Sequence, residues 1–226
     1  MKKIKRFFKL LLRSSTGTTG MVIVLGICLC AIFANQLAPH NPNEMDLMNM
    51  TKPPFWMNGG DLNNVLGTDN LGHDILSRML YGARISLIVG ILATLASGIV
   101  GMVLGLVSGY FGGLPDGIIM RVADAFFAIP GILLALVTLM VFKSSGILTL
   151  VLVIAAISWV PYARLIRSEV LRLKEKEYVK AAKTVGASSW FIIFNHILPN
   201  VWPSFIVIST MSVAGSILTE TALSFL

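Results

Sequence analysis

EKEYVKAAKTVGASSWFIIFNHILPN, Glu175 to Asn200, is the longest well-patterned polar-rich interval in a chain otherwise dominated by long apolar runs. Tyr178, Ala181, Ala182 and Val185 recur at i, i+3, i+4 and i+7, which places them on one apolar stripe of a helix. Lys176, Lys180 and Lys183 fall on another face. Gly186 stands where a helix would end in a left-handed cap, with Ala187 following. Ser188 or Ser189 is placed to cap a second short helix reaching Phe194, and Pro199 opposes its continuation. The pattern predicts helix, glycine turn, helix. Small residues on the exposed stripe would let the backbone of a partner groove come close. An ordinary amphipathic surface helix satisfies the same spacing.

The chain around this stretch has 226 residues, 55% hydrophobic and 13% charged, where a soluble domain carries about 25% charged residues. The composition predicts an all-α integral membrane protein, a polytopic helical bundle. A formal charge of +7 would suggest nucleic acid as partner of a soluble protein. Here six bases at 2–13 and seven at 164–183 account for thirteen of the eighteen, so the charge follows loop topology and no nucleic-acid partner is expected. Cys28 and Cys30 both lie in the first apolar run, and a disulfide between residues two apart would be strained. With no acid or His beside them they read as apolar residues, and no metal site is expected.

Five spans are predicted. Residues 1–20 form a basic cytoplasmic terminus, in which Phe7, Phe8 and Leu10–Leu12 interleave the bases and suit anionic lipid. Met21–Ala38 is the first span. A cleaved signal peptide competes with that reading, but Ala31, Ala34 and Ala38 lack the A-x-A spacing, which favours an uncleaved span. Residues 39–84 form an irregular extracytoplasmic segment rich in Pro and Gly. Residues 85–226 form the transmembrane core, with an inward loop over 164–200. The remaining spans are Ile85–Tyr110, Ile118–Phe142, Ile147–Tyr162 and Val201–Leu226, with turns at Phe111–Gly117 and Lys143–Gly146. Trp159, Pro161 and Tyr162 are expected to close the fourth span at interfacial depth. In the second span Ser97, Gly101, Gly105 and Gly109 recur every fourth residue, as do Ser86, Gly90, Thr94 and Gly98. Such ridges permit close helix packing where lipid offers no hydrophobic drive.

Three ionisable residues in spans are candidate functional groups. Arg121 and Asp124 are spaced for an i,i+3 pair near the inner end of the third span, where a structural role competes with a gating one. Glu220 falls near the outer face, where it lines a gate or reaches the head groups; the second is preferred. Pro130 can kink the third span at depth. In the outer segment Asp74 and Arg78 are spaced to pair on a helix. Asp69, His73 and Asp74 invite a metal reading, against which a capped interfacial helix is favoured.

Glu175–Asn200 also resembles the cytoplasmic coupling loop, the EAA loop, of permease subunits of bacterial ABC importers. The matching residues are Ala181-Ala182, Gly186 four positions later, and Leu198-Pro199. Lys180 stands where that family usually has Glu. A second segment, LGTDNLGHDILSRMLYGARISL (Leu66–Leu87), resembles the lead into the second span of the dipeptide, oligopeptide and nickel class, with His73 where Arg is usual. The resemblance implies the type I importer permease fold of a second-permease, or C-type, subunit in the bacterial inner membrane, N-terminus cytoplasmic. It implies a sixth span beyond Leu226, so the chain is expected to be C-terminally shortened. Tyr178, Lys180, Ala181, Ala182, Gly186, Ala187, Leu198 and Pro199 would form the ATPase-coupling loop. Implied partners are a homologous permease in a heterodimer, two ABC ATPase subunits that hold ATP and Mg, an extracytoplasmic solute-binding protein and membrane lipid. No cofactor is expected in this chain, and it is not expected to be an enzyme: it has no G-x-x-x-x-G-K-[ST] phosphate loop. The implied solute is a di- or oligopeptide. Nickel or another small solute uses the same motifs, and a membrane scaffold without transport is the alternative of another class. A channel would want a repeated polar filter or charge ring, which the spans lack.

Overall fold

The computed structural model describes residues 14–142 and 146–225. The basic run through Arg13 and most of the predicted turn after Phe142 lie outside them. The described residues form two compact units, one ending at Leu87 and the other beginning at Ile88.

In the first unit, α1 spans Ser15–Ile32, six residues ahead of the predicted Met21. Ser14 sets that start, because its hydroxyl accepts from the Gly17 N–H at 3.2 Å and satisfies an orphan donor. Phe33 interrupts the helix before α2, Ala34–Leu37. A 3₁₀ turn at Leu47–Asn49 follows. The segment up to Asp74 is irregular but firmly bonded: Thr68 N donates to Lys52 O at 3.1 Å and Phe55 N to Val65 O at 3.2 Å. Gly67 and Gly72 have positive φ, and a Cβ on either would meet the backbone carbonyl of Lys52 or Asp46. Helix α3, Ile75–Phe111, begins ten residues before the predicted second span. The predicted Asp74–Arg78 pair does not form. Asp74 is buried and accepts from both Ser77 N (2.8 Å) and Ser77 Oγ (2.7 Å), so its carboxylate caps the new helix. Arg78 turns instead to Asp69, which also bonds His73 Nδ1 at 2.9 Å.

In the second unit α3 continues to Phe111, and only Gly112 separates it from α4, Gly113–Ala128. The predicted turn at Phe111–Gly117 is therefore mostly helix. After Ile129 and Pro130 comes α5, Gly131–Phe142. The two halves are bent by 96°, far more than the expected kink. Pro130 removes a donor and disfavours helical φ/ψ at Ile129, whose ψ of 130° is extended. Helix α6 runs over Ile147–Lys174, straight through Pro161. The helix does not end at Tyr162, and Trp159 and Tyr162 are buried within the protein, against Phe126 and Phe205. Then come α7 (Glu177–Thr184), α8 (Ser189–Ile192), a π turn (Ile193–Ile197) and α9 (Leu198–Ser224).

Two small-residue ridges of α3 meet two partners, as the spacing predicts. A Cβ on Gly101, Gly105 or Gly109 would come within 2.4–2.7 Å of α6 atoms of Tyr162, Ala163, Ile166 or Val170. A Cβ on Gly90 would meet Ile217 of α9, and Thr94 Oγ1 lies 3.3 Å from Ser216 Oγ. The helices touch at backbone distance, which gains dispersion where hydrophobic drive is absent. Among the described residues four helices are long and apolar enough to cross a membrane, and a fifth span results if the bent pair is counted as one. The predicted all-α, polytopic membrane architecture is the one observed among the described residues.

Candidate functional site

The glycine turn after α7 is closed by two backbone bonds. Ala187 N donates to Ala182 O and Gly186 N to Lys183 O, both at 3.1 Å. Those are the two bonds of a Schellman cap, and Gly186 takes the left-handed position with φ +87°. Ser188 Oγ accepts from Phe191 N and caps α8. Glu177 in the first turn of α7 and Lys183 in the last complement the helix dipole.

The predicted stripe divides between two surroundings. Val179, not in the predicted set, is the buried contact of α7, at 4% exposure. Ala182, Ala187 and Leu198 are partly buried against the same core cluster, which includes Ile166, Val170, Ile192 and Ile197. Tyr178, Ala181 and Val185 face outward, Val185 at 88% exposure. Gly186 and Pro199 are exposed as well. Lys180, at the position of the usual Glu, reaches back to Glu175 at 2.8 Å. That hydrogen bond holds the Glu175 carboxyl below its ordinary range. Beside the stripe, Trp190 and Phe194 stack at 6.1 Å and both are more than half exposed.

Pro199 does not end the second helix. The π turn just before it sends Leu198 N to Ile193 O and carries the chain into α9. Pro199 has no N–H for the Asn195 carbonyl, and a wider turn is one way a helix absorbs that loss. The result is one continuous helical stretch from Ser189 to Ser224.

The ionisable candidates are rearranged. Asp124 pairs with Arg164 of α6 at 2.7 Å, and not with Arg121 on its own helix. A partner reaching from the neighbouring helix replaces the local i,i+3 contact. Arg121 is exposed. Glu220 does not reach outward: it is 5% exposed and lies with Ser216 and Leu223 on the buried face of α9. Ser224 Oγ donates to it at 3.0 Å. One strong pair was missed. Asp116 is gripped by Arg167 through Nε and Nη2, both at 2.6 Å, and by the Ser108 hydroxyl. These residues lie far apart in sequence, and no local spacing announces them. Finally, the break between α4 and α5 opens on a cavity of about 600 Å³, walled also by Ser158, Ser212, Ser216 and Thr219 and by no ionisable side chain.

Comparison with known proteins agrees with this architecture. Residues 101–226 match the family model of the binding-protein-dependent transport system inner membrane component. Residues 3–54 match the N-terminal transmembrane domain of oligopeptide transport permease C. The chain is 38% identical over 207 residues to the oligopeptide transport system permease protein OppC of Bacillus subtilis (strain 168), covering 92% of this chain and 66% of that protein. It is 36% identical over 223 residues to the di/tripeptide transport system permease protein DppC of Pseudomonas aeruginosa (strain UCBPP-PA14), covering 99% and 73%. To the glutathione transport system permease protein GsiD of Escherichia coli O6:K15:H31 (strain 536 / UPEC) it is 39% identical over 221 residues, covering 97% and 71%. The chain thus spans about two thirds to three quarters of these relatives' length. It belongs to the family of inner-membrane components of binding-protein-dependent transport systems, a family of multi-pass transport permeases and not of enzymes. Within that family it is a permease of the C type, akin to those of dipeptide and oligopeptide systems.

Proposed function

We propose that this chain pairs with a second, homologous permease to form the path of an ATP-driven importer for small peptides. Its N-terminus faces the cytoplasm, two ATPase subunits bind on that side, and a solute-binding protein delivers peptide from the other. The ATPases hold the ATP and Mg, and α7 with the turn at Gly186 seats in a groove of one of them. The observation that carries this reading is the division of α7. Val179 and Ala182 fuse it to the core, while Tyr178, Ala181 and Val185 stay open for a partner. A helix so built passes force inward without bending. Closure of the ATPase pair then biases the spans between two states. Oligopeptide, di/tripeptide and glutathione permeases among the relatives support a peptide solute.

The test is Gly186→Asp in the assembled importer. Membrane insertion and ATP hydrolysis should persist while uptake of a labelled tripeptide is lost. Normal uptake would remove the loop from the coupling mechanism. Failure of any ATPase to co-purify through residues 175–199 would favour a scaffold.

A further inference from the structure

The chain carries a connection that the loop itself does not explain. Helix α4 is set off from its neighbours by a sharp change of backbone direction at both ends. At one end Gly112 and Gly113 both have positive φ, and a Cβ on either would meet nothing within 4 Å. At the other end lies the break at Ile129 and Pro130. Against α6, α4 is held by its side chains. Ala123 is buried with Trp159, Val160 and Ala163 of α6, and Phe126 packs on Trp159 at 5.7 Å. Apolar contact of this kind holds two helices together but resists sliding weakly, since it has little direction.

Two ion pairs supply the direction. Arg167 of α6 grips Asp116 with two parallel hydrogen bonds at 2.6 Å, and Asp116 takes a third from Ser108 of α3. Two turns further along α4, Arg164 reaches Asp124 at 2.7 Å and lies over the Phe127 ring at 4.5 Å. A guanidinium fork fixes angle as well as distance. Lys174, at the end of α6, donates to the carbonyl of Tyr110 at 2.7 Å and so ties down the last turn of α3. The helix that leads into the loop, α6, is thereby pinned to both α3 and α4.

We propose that Asp116–Arg167 and Asp124–Arg164 form a two-rung ladder that makes α4 travel with α6, so that displacement of the loop reaches the break at Pro130. Asp116 and Arg167 are positioning residues in this scheme. They are not among the residues lining the cavity at the break. They keep the broken segment, and with it one wall of the cavity, in step with the loop. The inference rests on the coupling role given to the loop above.

The experiment measures distance, so it needs no knowledge of the solute. Spin labels go on Cys introduced at Val122 of α4 and Leu171 of α6, in the assembled importer with Cys28 and Cys30 replaced by Ala. Distances are read without nucleotide and with ATP and vanadate. With the ladder intact the Val122–Leu171 distance should be the same in both states. In Arg167→Lys, which keeps the charge but loses the fork, and in Asp116→Asn, it should differ between states. Reversal of the pair, Asp116→Arg with Arg167→Asp, should bring back one distance. A state-dependent distance in the parent, or an unchanged distance in both single variants, overturns the ladder. Crosslinking from Lys183 to the ATPase is followed in parallel. Its absence defeats the coupling role of the loop, whereas its presence with a negative distance result defeats the ladder alone.

Discussion

The backbone N–H of Ala187 donates to the carbonyl of Ala182 at 3.1 Å, and both methyl groups rest on the core that also takes up Val179 and Ile197. Two of the small residues at this turn therefore serve the fold inwardly, while Ala181 keeps its face outward. The turn depends on Gly186 at φ +87°. A side chain there costs about 1–2 kcal/mol for ordinary residues and less for Asn. No atom of this chain lies within 4 Å of the Cβ position.

Gly186→Asn and Gly186→Val accordingly separate two demands on that site. If backbone conformation is the whole requirement, Asn should retain most uptake and Val should lose it. If a partner crowds the site, both should lose uptake with the protein still folded. Uptake in proteoliposomes, set beside thermal unfolding of the same preparations, decides between the two.

The glycines of the long helices are not equivalent. A Cβ on Gly105 would lie 2.7 Å from both Ala163 O and Ile166 Cβ, whereas one on Gly215 meets nothing within 4 Å. Gly105→Val should destabilise by about 1–3 kcal/mol through overpacking. Gly215→Ala should be neutral or stabilising by about 0.5–1 kcal/mol, because Ala is the better helix former. Thermal unfolding in detergent should rank them in that order. The reverse order would mean that α3 and α6 are not in backbone contact.

Asp69 organises the segment between α2 and α3. Partial desolvation pulls its carboxyl up. Hydrogen bonds from His73, from the N–H groups of Leu71 and His73, and from Arg78 outweigh that and hold it well below its ordinary range. A carboxylate depressed on folding contributes stability above its unfolded pKa of about 3.9, and the contribution drains away as pH falls below that value. Protection of the Leu71 and His73 amides from hydrogen exchange, corrected for intrinsic rates, should be level from neutral pH to about 5 and fall below about 4. Asp69→Asn should remove the dependence. A protection that is flat in the parent down to about pH 2 would contradict this account.

Much of the architecture was legible because lipid imposes a simple rule: a crossing segment is long and uncharged. That rule located the four long apolar helices. It did not locate the ends, because bonding and not hydropathy decides them. Ser14 and Asp74 begin helices six and ten residues ahead of the predicted spans, and each does so by capping orphan N–H groups. Pro161 and Pro199 were read as stops, yet one sits within α6 and the other follows a π turn. The coupling stretch was readable as two helices about Gly186, since the cap is local chemistry. Which side of α7 faces the core was not, because Val179 is chosen by neighbours such as Leu173 and Ile192. Asp116–Arg167 escaped notice for the same reason, its partners being fifty-one residues apart.

The sharp break at Pro130 has a consequence for membrane crossing. Its two halves have 16 and 12 helical residues, or about 24 and 18 Å at 1.5 Å per residue, against a hydrocarbon thickness of about 30 Å. The first half also carries Asp116, Arg121 and Asp124, which the insertion machinery rejects at about 2.5–3.5 kcal/mol each at mid-depth. Neither half is long enough to cross the hydrocarbon by itself. Arg164 and Arg167 pair with Asp124 and Asp116, so two acids of this broken segment are neutralised by the helix that follows it in the chain.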